Sequence, residues 1–133
     1  MQKTMRLVLP AVAAALVLTA CVTTGRQSPF PDGSNVALGQ RAMVDGPIIQ
    51  PVKVLEDSRC PMNARCIWAG RVRVKMLWHR PTGEKQPFEV TLGEPARLAD
   101  GTITLESVRP EKRTEATIKP QDYRFSFRFA GGL

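Results

Sequence analysis

Near the C-terminus Tyr123, Phe125, Phe127 and Phe129 alternate with Arg124, Ser126 and Arg128. In extended backbone alternate side chains point to opposite faces, so this run puts four aromatic rings on one side of a strand and charge on the other. At helical spacing the same rings would scatter around the axis. Half of the chain's Phe, Tyr and Trp residues are committed to this face, and a small domain has to bury it. The strand is therefore expected at the centre of the core.

The same period recurs upstream. Val72, Val74, Met76 and Trp78 alternate with Arg71, Arg73, Lys75 and Leu77. Arg80-Pro81-Thr82-Gly83 carries turn residues at the right offsets, and predicts reversal into a strand with Phe88, Val90 and Leu92 facing inward. Asp100-Gly101 predicts a two-residue turn that sets Ala99 against Thr102 and Leu98 against Ile103. Val108 breaks the alternation of Ile103 and Leu105, which predicts a bulge or a strand end near Ser107. Weaker runs precede these: Leu38, Ala42 and Val44, ended by Asp45-Gly46-Pro47, then Val52 and Val54. No amphipathic segment of helix length occurs beyond residue 35. The expectation is all-β, a small antiparallel β-sandwich or barrel of six or seven strands over residues 36–133.

Residues 1–35 read differently. Lys3 and Arg6 precede the apolar run Leu7 to Leu18, which has signal-peptide length and is short for a membrane span. The run ends in Leu18-Thr19-Ala20-Cys21, which resembles the bacterial lipobox, in which the cysteine is lipidated and becomes residue one of the exported chain. Residues 1–20 are expected to be a lipoprotein signal peptide, Cys21 the lipidation site, and 21–35 a tether with a reach of roughly 20 Å. Removal of Lys3 and Arg6 with the signal leaves 113 residues, with 17 basic and 12 acidic side chains and a formal charge of +5. That length suits one domain.

With Cys21 lipidated, Cys60 and Cys66 remain as a pair in an oxidising compartment. Five residues separate them, Pro61 among them, between the strand expected to enter at Val52 and the one leaving at Arg71. A structural disulfide closing this loop is the leading reading. Two alternatives stay open: a redox pair, which lacks the Cys-x-x-Cys spacing at a helix start, and a soft-metal site that adds Met62 and His79.

The loop also carries a family resemblance. Asp57-Ser58-Arg59-Cys60-Pro61, four residues, then Cys66-Ile67-Trp68-Ala69-Gly70 resembles a signature of small bacterial exported proteins and lipoproteins. Leu38-Gly39-Gln40, Val108-Arg109-Pro110 and Ile118-Lys119-Pro120-Gln121-Asp122-Tyr123 fit as its flanks, so the resemblance spans Val36 to Phe129. It implies an exported β domain and carries no activity with it.

Catalytic constellations are sparse. His79 is the only histidine, at the end of a strand, and Glu56 and Asp57 are adjacent and so face apart in extended chain. Asp57 is expected to accept hydrogen bonds from the loop or from Arg59, and Trp68 to pack as a lid on the disulfide. Arg71, Arg73 and Lys75, with Arg124 and Arg128, would form a cationic partner-binding patch if their strands shared one sheet. The expectation is a non-enzymatic envelope lipoprotein that binds another envelope component, an anionic one or a protein. No nucleic acid and no cofactor is expected. Val22 after Cys21 gives no inner-membrane retention signal, which directs the protein to the outer membrane, facing the periplasm. Metal handling or redox work at the Cys60–Cys66 loop is the alternative, as is inhibition of an envelope hydrolase by Arg109 to Gln121.

Overall fold

The computed structural model describes residues 30–132. The expected signal peptide (1–20), the expected lipidation site Cys21 and the expected tether up to residue 29 lie outside the described residues. Seven strands follow: β1 (Ala42–Met43), β2 (Ile48–Asp57), β3 (Val72–His79), β4 (Lys85–Thr91), β5 (Pro95–Leu98), β6 (Gly101–Arg109) and β7 (Arg124–Ala130). They form two antiparallel sheets, β1-β2-β3-β4 and β5-β6-β7. This is a small β-sandwich and not a closed barrel.

The alternating runs supply the core. Val72, Val74 and Met76 of β3 are fully buried, as are Ile49 of β2 and Val90 of β4. From the other sheet come Ile103, Leu105 and Val108 of β6, then Phe125 and Phe127 of β7, with Tyr123 just before that strand. Tyr123 and Phe125 stack at 5.7 Å between ring centroids, and Phe127 lies 6.3 Å from Phe125, within the range of favourable aromatic pairs. The chain crosses between sheets at two consecutive amides. Leu92 N–H donates to the Val72 carbonyl of β3 and Gly93 N–H to the Leu105 carbonyl of β6, each at 2.9 Å. The expected irregularity in β6 is a register shift between Leu105 and Ser107, which turns Val108 back to the core.

Several boundaries differ from the sequence reading. Residues 36–44 are not one strand: Val36 bridges Phe125, the chain turns at Gly39 (φ 82°), and only Ala42–Met43 pairs with β2. β2 starts at Ile48 rather than Val52, with Ile49 and Pro51 buried. A register shift between Pro51 and Lys53 then throws Val52 outward, where it is exposed. The β5–β6 turn is Ala99-Asp100, because Leu98 pairs with Gly101 and Ala96 with Ile103. Ala99 takes the positive φ of 52°. Gly101 is needed elsewhere: a Cβ there would overlap the Ala130 carbonyl of β7, so its glycine serves close strand approach instead of the turn. Residues 31–35, assigned to the tether, belong to the domain. Met43 N–H donates to the Pro31 carbonyl and Phe127 N–H to that of Gly33.

The sheet edges are short, interrupted or covered. β1 has two residues, β5 has four and starts at Pro95, and β4 carries Pro87. β7 is at an edge by strand order, but Val36 exchanges both backbone hydrogen bonds with Phe125 there.

Candidate functional site

The strands set two opposite ends, because β2 and β3 both run between them. Ten residues of β2 separate Ile48 from Asp57, a span of roughly 30 Å.

At the Asp57 end, Cys60 and Cys66 form a disulfide with Cα atoms 5.9 Å apart. It closes the loop joining β2 to β3, whose ends Asp57 and Val72 are paired in register. Behind it lies a dense polar bracket. Arg59 grips Asp57 with two hydrogen bonds, Nε to Oδ1 and Nη2 to Oδ2, both 2.9 Å. The remaining guanidinium bonds reach the carbonyls of Val108 (3.0 Å) and Pro110 (3.2 Å) in the other sheet's chain. Tyr123 Oη donates to Asp57 Oδ2 at 2.8 Å, and Lys112 Nζ to the Asp57 carbonyl at 2.6 Å. The Asp57 and Arg59 side chains are 9% and 13% exposed, so this pair is nearly removed from water. Burial alone would raise the Asp57 pKa, but the hydrogen bonds from Arg59 and Tyr123, with the Arg59 charge, hold it below the ordinary carboxylate value. Tyr123 is pushed up to about 12 by its own burial and by the carboxylate it donates to.

The segment Arg109 to Gln121, considered as a protruding inhibitory loop, instead braces the Cys loop. Met62 N–H donates to the Lys112 carbonyl, and Asn63 bonds Thr114 and Glu115. Ser58 exchanges backbone and hydroxyl bonds with Arg71. Gly70 has φ 67° and lies against the Ser58 carbonyl, where no Cβ fits. Asp57, Ser58, Arg59, the cysteines and Gly70 therefore all have a bonding or steric role. Trp68 does not: it is 63% exposed, with Ile67 at 96% and Met62 at 57%. The expected packing lid is an outward-facing aromatic, because Arg59, Tyr123 and the 109–121 segment already cover the inner side of the loop.

The other expected groupings do not assemble. Arg73 and Lys75 belong to β3, with Arg71 just before it, while Arg124 and Arg128 belong to β7 in the opposite sheet. Their outward faces point apart, so no single patch forms. Arg71 pairs with Glu56, Arg73 with Glu56 and Glu89, and Arg128 with Glu106. The Arg124 guanidinium donates to the carbonyls of Gln121 and Tyr123. Cys60, Met62, Cys66 and His79 are not brought together as a ligand set either: the two sulfurs are joined in a disulfide, and His79 is at the far end of β3, roughly 25 Å along the strand. Among the described residues no cluster of three metal-ligating His, Cys, Asp or Glu side chains occurs.

That far end holds an open cleft of about 950 Å³, which no run of sequence announces because it is built from several separate segments. Met43, Ile48, His79 and Lys85 are successive cross-strand neighbours, one from each strand of the four-stranded sheet. Trp78 and Phe129 contribute aromatic surface, and Arg80 lies over the Trp78 ring at 5.1 Å. Gln50 Nε2 donates to the Gly39 carbonyl, which leaves Gln50 Oε1 to accept from His79 Nε2 at 2.7 Å. The neutral His79 tautomer thus carries its proton on Nε2. Partial burial, then the charges of Arg41 and Lys85, lower its pKa. The described residues lining the cleft include no serine, threonine or cysteine, so they offer recognition groups and, among themselves, no hydroxyl or thiol nucleophile for His79 to activate.

Comparison with protein-family models, curated proteins and solved structures finds no match to this chain.

Proposed function

We propose that this chain is one of the small exported bacterial lipoproteins whose Cys-loop signature it carries, and that it acts as a non-enzymatic interaction module of the cell envelope. Lipid on Cys21 anchors it, in the outer membrane facing the periplasm, and the Cys60–Cys66 loop meets a protein partner. The observation that carries this reading is Trp68 held outward beside Ile67 on a loop fixed from behind. Tryptophan anchors are enriched among the few residues that dominate binding energy. A loop already held in one conformation loses less entropy when a partner docks.

A photocrosslinking residue at position 67 in intact cells should give a discrete protein adduct that Trp68→Ala abolishes without changing the melting temperature. The same probe at Arg97, on an exposed edge strand, should give none. Equal adducts from both positions would refute the loop as the contact. The anchor is tested by fractionation after a high-salt wash, where Cys21→Ser protein should leave the membrane and wild type should stay.

A further inference from the structure

The cleft at the other end pairs two kinds of surface that a single ligand must match. Its apolar part includes Met43, Ile48, Trp78 and Phe129. Its rim carries Arg41, Arg80 and Lys85 against Asp45 and Asp100, three positive charges to two negative. Arg80 is paired with Glu84 at 3.2 Å, whereas Arg41 and Lys85 have no ion pair among the described residues. Both cations act on the same His79 ring, and Lys85 is its direct cross-strand neighbour. A soluble anion would leave the apolar surface unused, and a neutral hydrocarbon would leave the cations unanswered. An anionic group joined to hydrocarbon satisfies both. The volume is that of an ordinary small-molecule site.

Position selects the source of that ligand. Phe30 lines the cleft, so the chain leading back to Cys21 departs from this end of the sandwich. Eight residues separate Cys21 from Phe30 in sequence, a reach of roughly 15 to 20 Å. On the anchor reading given above, the cleft is therefore held beside the bilayer, while Trp68 points away from it.

We propose that the cleft binds an acidic phospholipid of the anchoring membrane, with its phosphate between Arg41 and Lys85 and its upper acyl chain against Trp78 and Phe129. The lipid orients the domain so that the Cys60–Cys66 loop faces away from the membrane. Each basic residue at an anionic membrane surface strengthens attachment about fivefold, so losing both lowers affinity about 30-fold.

The test uses the chain from residue 21, which contains every described element, with Cys21→Ser so that no covalent lipid contributes. In a Trp68→Phe background Trp78 is the sole tryptophan. Vesicles of phosphatidylglycerol with brominated acyl chains should bind the protein and quench Trp78, and phosphatidylcholine vesicles with the same chains should do neither. Arg41→Ala/Lys85→Ala should weaken binding about 30-fold. Lys53→Ala/Arg97→Ala, which removes the same charge outside the cleft, should change it less than threefold. Equal loss in both double variants would reduce the interaction to net charge and overturn the proposal. So would equal binding to phosphatidylcholine, or binding without quenching. Melting temperatures of the three proteins exclude misfolding as the cause. Because Cys21 carries no lipid in this assay, failure here leaves the anchor reading standing, and failure of the fractionation test leaves the cleft standing.

Discussion

Glu56 and Asp57 are neighbours on β2, yet their removal should have very different consequences. Asp57→Ala takes away the acceptor of two Arg59 hydrogen bonds and one from Tyr123, all 2.8 to 2.9 Å, in a place where both charges are nearly dry. Breaking a buried ion pair by removing one partner costs roughly 3 to 5 kcal/mol, mostly from the charge left behind. Arg59 keeps the Val108 and Pro110 carbonyls, so the lower end applies, about 3 kcal/mol. For a domain of this size that corresponds to a fall in Tm of roughly 12 to 24 °C. Glu56 pairs with the exposed Arg71 guanidinium, so Glu56→Ala should leave the midpoint close to wild type. Urea unfolding of both variants reads the contrast, and an unchanged m-value keeps the comparison two-state. A cycle with Arg59→Ala adds a further check: in the double variant the destabilisation should fall short of the sum by about 1.5 kcal/mol or more, since neither charge is then stranded. Equal midpoints for Asp57→Ala and Glu56→Ala, or strict additivity in the cycle, would refute the bracket as the brace of the Cys loop.

Phe127→Ala should destabilise by roughly 3 to 5 kcal/mol, while Arg128→Ala on the outer face of β7 should barely move the urea midpoint. Replacing Cys60 and Cys66 together by Ser should cost about 2 kcal/mol from loop closure alone, measured by thermal melting against the oxidised wild type. Tyr123 has a raised pKa in the folded state, so its contribution is complete below the ordinary tyrosine value near 10 and is lost as pH rises toward about 12; Tyr123→Phe should flatten that alkaline limb of the stability curve. Asp57 has a lowered pKa, so its contribution is present above the unfolded value near 4 and is lost as pH falls below it; in Asp57→Asn the acid limb should be shallower.

The inner faces of β3 and β7 were legible because period-2 alternation reports directly on burial, and Val72, Val74, Met76, Phe125 and Phe127 are where it places them. The Asp57–Arg59 contact was legible because it is local. What failed depended on partners distant in sequence. Gly101 looked like a turn residue, but its role is set by Ala130, and Ile48 to Pro51 were obscured by a proline tolerated next to a bulge. Trp68 sits beside a disulfide, and only the filling of the inner side by Arg59 and the 109–121 segment shows that it must face out. The cationic patch failed for a topological reason, since alternation assigns a face within a strand but not the sheet the strand joins.

Residues 33–36 have a consequence beyond sealing one side of the core. β7 is a seven-residue strand rich in aromatics at the border of its sheet, and without Gly33 and Val36 it would offer a row of free amides and carbonyls to any extended chain nearby. If Cys21 anchors the chain as proposed, copies would meet at high local density on the membrane, the condition under which such a border recruits a neighbour and polymerises. The domain thus uses the first described stretch of its own chain to occupy the place a second molecule would take. Shortening the chain to begin after Val36 should make the domain exchange strands or aggregate, read as a rise in apparent mass over the full-length chain.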